Sequence, residues 1–131
     1  MRVPAVLDGY ALSIASGDFN RWNRKVMTVH YRNSYMFSSA FETYAFNLGN
    51  TFGHAELAGL IAPRPFMVET GYRDQVAADP WVGYEYAKVK RLYDYLGLPE
   101  RTRLEFFQGE HEIHGEGTFQ FLHEHLNLPK R

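Results

Sequence analysis

Leu104-Glu105-Phe106-Phe107-Gln108, running into Gly109-Glu110-His111, is the stretch whose reading decides the fold of this chain. A short apolar run stops at a glycine, and the turn beyond it presents one histidine. A second unit of the same build lies upstream: Phe66-Met67-Val68-Glu69-Thr70, then Gly71, then Asp74. Phe66–Thr70 lacks the polar alternation of a half-solvated strand and reads as a strand buried on both faces, as in parallel sheets. An acid past the end of one strand and a histidine past the end of the next is how a sheet presents the Asp and His of a Ser-His-Asp triad.

Between the two units the pattern is helical. Asp79 suits an N-cap and Pro80 the first helical position. Val82, Tyr86, Val89, Tyr93 and Leu96 recur at helical spacing, with Glu85, Lys88 and Asp94 off that stripe. Gly97 and Pro99 end the run. Downstream, Thr118–Leu126 reads as the last helix, with Phe119, Leu122 and Leu126 on one face. Upstream, Ala55–Ile61 suits a short helix stopped by Pro63 and Pro65. Residues 11–16 (Ala-Leu-Ser-Ile-Ala-Ser) read as a short buried strand that ends at Gly17-Asp18.

Residues 18–54 show no clean period. They hold Phe19, Trp22, Tyr31, Tyr35, Phe37, Phe41, Tyr44, Phe46 and Phe52, and a helix is expected over about Ser39–Phe46. So long an excursion between elements is usually functional or interfacial. Its aromatics have three readings: core, subunit interface, or the wall of a substrate site. The succession strand, excursion, strand, helix, strand, helix predicts an α/β sheet with right-handed crossovers.

With 131 residues the chain is one domain at most, large enough to bury a core. Fourteen basic against fifteen acidic side chains leave a net charge of −1, which argues against a general nucleic-acid binder. There is no cysteine, hence no disulfide, thiol nucleophile or thiolate metal site. No apolar run is long enough to span a bilayer, and the first residues do not read as a signal peptide, which leaves the compartment unassigned.

Asp74 and His111 each have a competing reading, as a turn aspartate paired with Arg73 and as an exposed loop histidine. Their pairing at successive strand ends favours the triad roles: Asp74 would fix the imidazole tautomer and His111 would act as general base. Asp79 is the competing acid, but helix capping already accounts for it. Trp81, just past the acid loop, is the aromatic expected nearest a pocket. The run His111-Glu112-Ile113-His114 falls one residue short of the zinc-protease spacing, and Gly115 and Gly117 argue against the helix that motif needs. His123 and His125 flank Glu124 and point to different sides of a helix. No metal and no cofactor is therefore expected. No serine stands in a G-x-S-x-G elbow, and Ser13, Ser16, Ser34, Ser38 and Ser39 all lack its strand-turn-helix context.

The stretch Leu57-Ala-Gly-Leu-Ile-Ala-Pro-Arg-Pro-Phe-Met-Val-Glu-Thr-Gly71, with Asp74 after it, resembles the approach to the catalytic acid in α/β-hydrolase esterases of the acetyl xylan esterase, cephalosporin deacetylase and dienelactone hydrolase-like group. The Ala87–Tyr93 helix and Gly109-Glu-His-Glu-Ile-His-Gly115, leading into Phe119-Gln-Phe-Leu122, also resemble that group's C-terminal end. The likeness runs from about Glu56 to Leu126. It implies the acid role for Asp74, the base role for His111, and an ester, small-molecule or carbohydrate, as substrate. It also implies several earlier strands, an oxyanion-hole loop and a serine elbow that have no counterpart in these 131 residues. The expectation is therefore the C-terminal part of an α/β-hydrolase-type three-layer sheet, about three parallel strands with flanking helices, forming one partial domain over 1–131. A fragment, a gene read from a misplaced start and a paralogue that lost catalysis all fit. So does a different class, a non-catalytic binding module that uses its aromatic surface. In either case the open sheet edge at 11–16 predicts a homodimer or larger homo-oligomer.

Overall fold

Six consecutive buried residues make the strand β2 (Phe66–Gly71) the centre of the molecule. In the computed structural model, which describes residues 1–39 and 41–128, β2 lies between β1 (Ser13–Ser16) and β3 (Thr102–Phe107). Both pairings are parallel, with Ser13 opposite Phe66, and Phe66 opposite Thr102. The expected α/β architecture, three parallel strands with flanking helices, is therefore the architecture observed.

Alternation sorts the side chains of β2 between two faces. Phe66 and Val68 join Ala15, Leu104 and Phe106 in the main core, together with residues of α4 (His54–Gly59) and α5 (Asp79–Tyr95), among them Ala55, Ala58, Val82, Val89 and Tyr93. Met67 and Glu69 face the opposite layer, which α6 (Glu116–Leu126) covers. Three shorter helices complete the set: α1 (Arg2–Val6), α2 (Trp22–Met27) and α3 (Leu48–Thr51). Arg64 ties α1 to the sheet by donating to the carbonyls of Pro4 at 2.6 Å and Leu7 at 2.9 Å.

Several boundaries differ from the sequence reading for local reasons. The ladder of β1 starts at Ser13, whose N–H donates to Pro65 O at 3.0 Å, so Ala11 and Leu12 precede the strand. Asp79 is the first residue of α5; Ala78 holds the cap position and offers no side-chain acceptor. Glu85, expected outside, is buried, because its carboxylate accepts from the backbone N–H of Ala55 where α4 begins and pairs with Lys88. Leu96 lies beyond the helix end and is exposed. On α6 the inward residues are Thr118 and Phe121, while Phe119 is 64% exposed. That helix starts at Glu116, on a Gly115 with φ of 87°, and its phase differs from the expected one. No α-helix forms over Ser39–Phe46: Phe41–Thr43 is a single 3-10 turn, and Ala40 lies outside the described residues. Among the described residues no helix is long and apolar enough to cross a membrane.

Candidate active site

Two loops leave the carboxyl ends of β2 and β3 and pack main chain against main chain. The parallel ladder continues beyond both strands: Tyr72 N donates to Phe107 O at 2.9 Å and Arg73 N to Gly109 O at 2.9 Å. Glycine at 71 permits this approach, since a Cβ there would collide with the Gly109 and Glu110 carbonyls. The acid loop then folds on itself, with Asp74 N donating to Gly71 O at 2.9 Å and Val76 N to Asp74 Oδ1 at 2.7 Å.

This arrangement brings Asp74 and His111 together. His111 Nδ1 lies 3.0 Å from Asp74 Oδ2; the carboxylate side chain is fully buried, whereas the imidazole is 56% exposed. A carboxylate only accepts, so Nδ1 carries the hydrogen and the exposed Nε2 is left as the acceptor, the tautomer that general-base catalysis requires. Among the described residues no hydroxyl is bonded to that nitrogen. Ser16, at the end of β1, instead donates to Glu112 O at 3.4 Å.

A third strand end completes the seat. Gly17 follows β1 with φ of +77°, and a Cβ there would lie 2.7 Å from His111 Nδ1 and 3.1 Å from Asp74 Oδ2. Positive φ and the imidazole overhead both require glycine. In the sequence this residue reads only as a strand stop.

The aromatic segment clamps the acid loop from above. Tyr31 Oη donates to Gln75 O at 2.7 Å, and Asn33 Nδ2 donates to the same carbonyl at 3.0 Å. Trp81 does not stand free beside the dyad: half-buried, it packs edge-on against Tyr31 with ring centroids 4.9 Å apart. Burial, and then the Asp74 charge, push the Tyr31 hydroxyl above the ordinary tyrosine range. Asp79 is also held above the usual carboxylate range, first by burial and then by Asp74. In the sequence Tyr31 reads only as one aromatic of the excursion and Asn33 has no signal, because the contacts span more than forty residues of aperiodic chain.

The remaining histidines separate. His114 Nδ1 sits 2.8 Å from Glu105 Oε1, with its ring stacked on Phe107 at 4.4 Å. His125 packs edge-on against Phe121. Among the described residues no group of three or more His, Asp or Glu side chains could hold a metal ion.

No protein-family model and no curated protein matches the chain. Two solved structures are similar to it. A Pyrococcus furiosus esterase, PF2001, aligns over 95% of this chain and 48% of its own, with a TM-score of 0.54 and 13% identity. Methylesterase BT1017 aligns over 60% of this chain and 18% of its own, with a TM-score of 0.50 and 23% identity. The chain thus spans less than half the length of either protein, and the likeness is one of fold.

Proposed function

We propose that this chain is the acid-and-base portion of an esterase-type α/β hydrolase, related to the acetyl xylan esterase and dienelactone hydrolase-like group. The observation that carries this reading is the 3.0 Å bond between buried Asp74 and exposed His111 at the ends of adjacent parallel strands. In a complete site a serine would attack the carbonyl carbon of a small-molecule or carbohydrate ester. His111 Nε2 would take the hydroxyl proton and return it to the leaving alkoxide, while Asp74 stabilises the imidazolium. Trp81, fixed by Tyr31 at the end of the acid loop, would be the aromatic surface beside the substrate.

Among the described residues no hydroxyl is bonded to His111 Nε2, and triad members act as a unit, so their separate contributions do not add. The 131 residues alone are therefore expected to hydrolyse p-nitrophenyl acetate no faster than their His111→Ala variant. Saturable turnover that His111→Ala abolishes would mean that the chain carries its own nucleophile, and would overturn the reading. The second reading, a non-catalytic binding module, is favoured by Phe37, Phe41 and Phe46, which are 61%, 78% and 99% exposed.

A further inference from the structure

Lys25 is 1% exposed and has no carboxylate within ion-pair reach among the described residues. Its ammonium donates to the backbone carbonyl of Asn33 at 2.6 Å and lies 4.6 Å from the centre of the Tyr35 ring and 5.1 Å from that of Tyr31. A neutral carbonyl and two ring faces replace only part of the hydration an ammonium loses on burial. The nearest acids act from farther away, and both have donors of their own: Asp74 accepts from Val76 N and bonds His111, and Asp18 accepts from Asn20 and Tyr35. Burial holds the Lys25 ammonium below the ordinary lysine range.

Lys25 lines a cavity of about 370 Å³ between the aromatic segment and the acid loop. Arg32, exposed and likewise without a carboxylate partner among the described residues, lines it too, with Tyr35 and Phe37 on one side and Gln75 and Val76 on the other. Among the described residues no acidic side chain lines this cavity. Two cations with no carboxylate in ion-pair contact among the described residues, set against an aromatic and aliphatic wall, suit an anionic ligand with an apolar body.

We propose that this cavity binds a small organic carboxylate, its carboxylate seated between Lys25 and Arg32 and its apolar body lying against Tyr35, Phe37 and Val76. The proposal goes beyond the esterase reading and does not depend on it, because it concerns a binding equilibrium at residues that take no part in proton transfer. Benzoate is the probe and benzamide its uncharged counterpart.

Titration of the isotope-labelled 131-residue chain, at constant ionic strength and followed by amide NMR, is expected to give saturable benzoate shifts confined to residues 33–38 and 75–76. Benzamide is expected to give none. Lys25→Met should weaken benzoate about tenfold or more, and Arg32→Gln severalfold, as loss of a charge-assisted bond does. The unchanged spectrum of residues 66–70 would show that Lys25→Met still folds; if it does not fold, the exposed Arg32→Gln alone decides. Equal shifts from benzamide, shifts centred elsewhere, or unaltered benzoate affinity in the folded variants would overturn the proposal.

Discussion

His54 and His111 illustrate how environment alone separates two identical side chains. His111 stands half out of the protein on a carboxylate. His54 is 3% exposed, accepts from Asn20 N through Nδ1 at 3.0 Å, and stacks on Trp22 with ring centroids 5.1 Å apart. Burial, and then the positive charge of Arg2, push its pKa down to about 3. An unfolded histidine titrates near 6.5. Between those values the unfolded chain binds a proton that the folded chain refuses. The stabilisation is complete above about pH 6.5 and is lost as the pH falls toward about 3, at roughly 1.4 kcal/mol per unit. Urea unfolding at pH 7 and pH 5.5 is expected to show this loss in the parent chain and a much flatter dependence in His54→Gln, whose side-chain oxygen can still accept from Asn20. Equal acid sensitivity in the two proteins would mean that His54 is charged in the folded state.

Among the elements, α6 is tied to the sheet at its N-terminus by an acidic side chain of β2. Gly115 offers no side chain, and Glu69 Oε2 on β2 instead accepts from Thr118 Oγ1 at 2.7 Å and from Gly115 N at 3.4 Å. Glu69 is fully buried and its other oxygen has no partner, so the Thr118 bond is the strongest satisfaction its carboxylate finds. Thr118→Val keeps the shape and removes that donor. It is expected to cost about 2 kcal/mol in chemical denaturation at pH 7, as for a buried acceptor left without its donor. A loss within roughly 0.5 kcal/mol, the range of an ordinary surface substitution, would show that Glu69 does not depend on this bond.

This tie between β2 and α6 also shows where the sequence stops being legible. β2, β3 and α5 could be read because their apolar periods and their glycine and proline stops are local. Asp74 and His111 could be read because those stops fix where each strand ends. Glu85 reads as solvent-facing, yet it is buried on a partner 30 residues away, and Glu69, in a strand read as buried on both faces, takes a partner 49 residues on that no local pattern marks. Tyr31, Asn33 and Lys25 take their places from contacts across an aperiodic segment, where no pattern of spacing records them.

At the scale of the whole molecule the question is what becomes of the open edge of the sheet. The strand order leaves β1 and β3 each paired on one side only. Arg103 and Glu105 on β3 put charge beside one edge, a usual guard against pairing. On β1, Ser-Ile-Ala-Ser carries neither charge nor proline. Ser13 N and Gly17 N donate to β2, so the alternation of a parallel ladder points the N–H and C=O groups of Ile14 and Ser16 outward. A cleft of about 300 Å³ runs along this edge, bounded by Arg2, Ile14, Ser16 and Asp18 among others. The exposed Phe37, Phe41 and Phe46 add apolar area of the kind that stable interfaces bury. The expected state is therefore a homodimer or larger assembly that covers the β1 edge, with a two-fold arrangement as the commonest solution. Sedimentation at micromolar concentration should give a mass of at least twice the 15.2 kDa of one chain. Ile14→Lys, which places a charge on the pairing strand, should shift the population toward monomer. A monomer with no concentration dependence in the parent chain would mean that β1 is capped from within, and assembly through this edge would have to be abandoned.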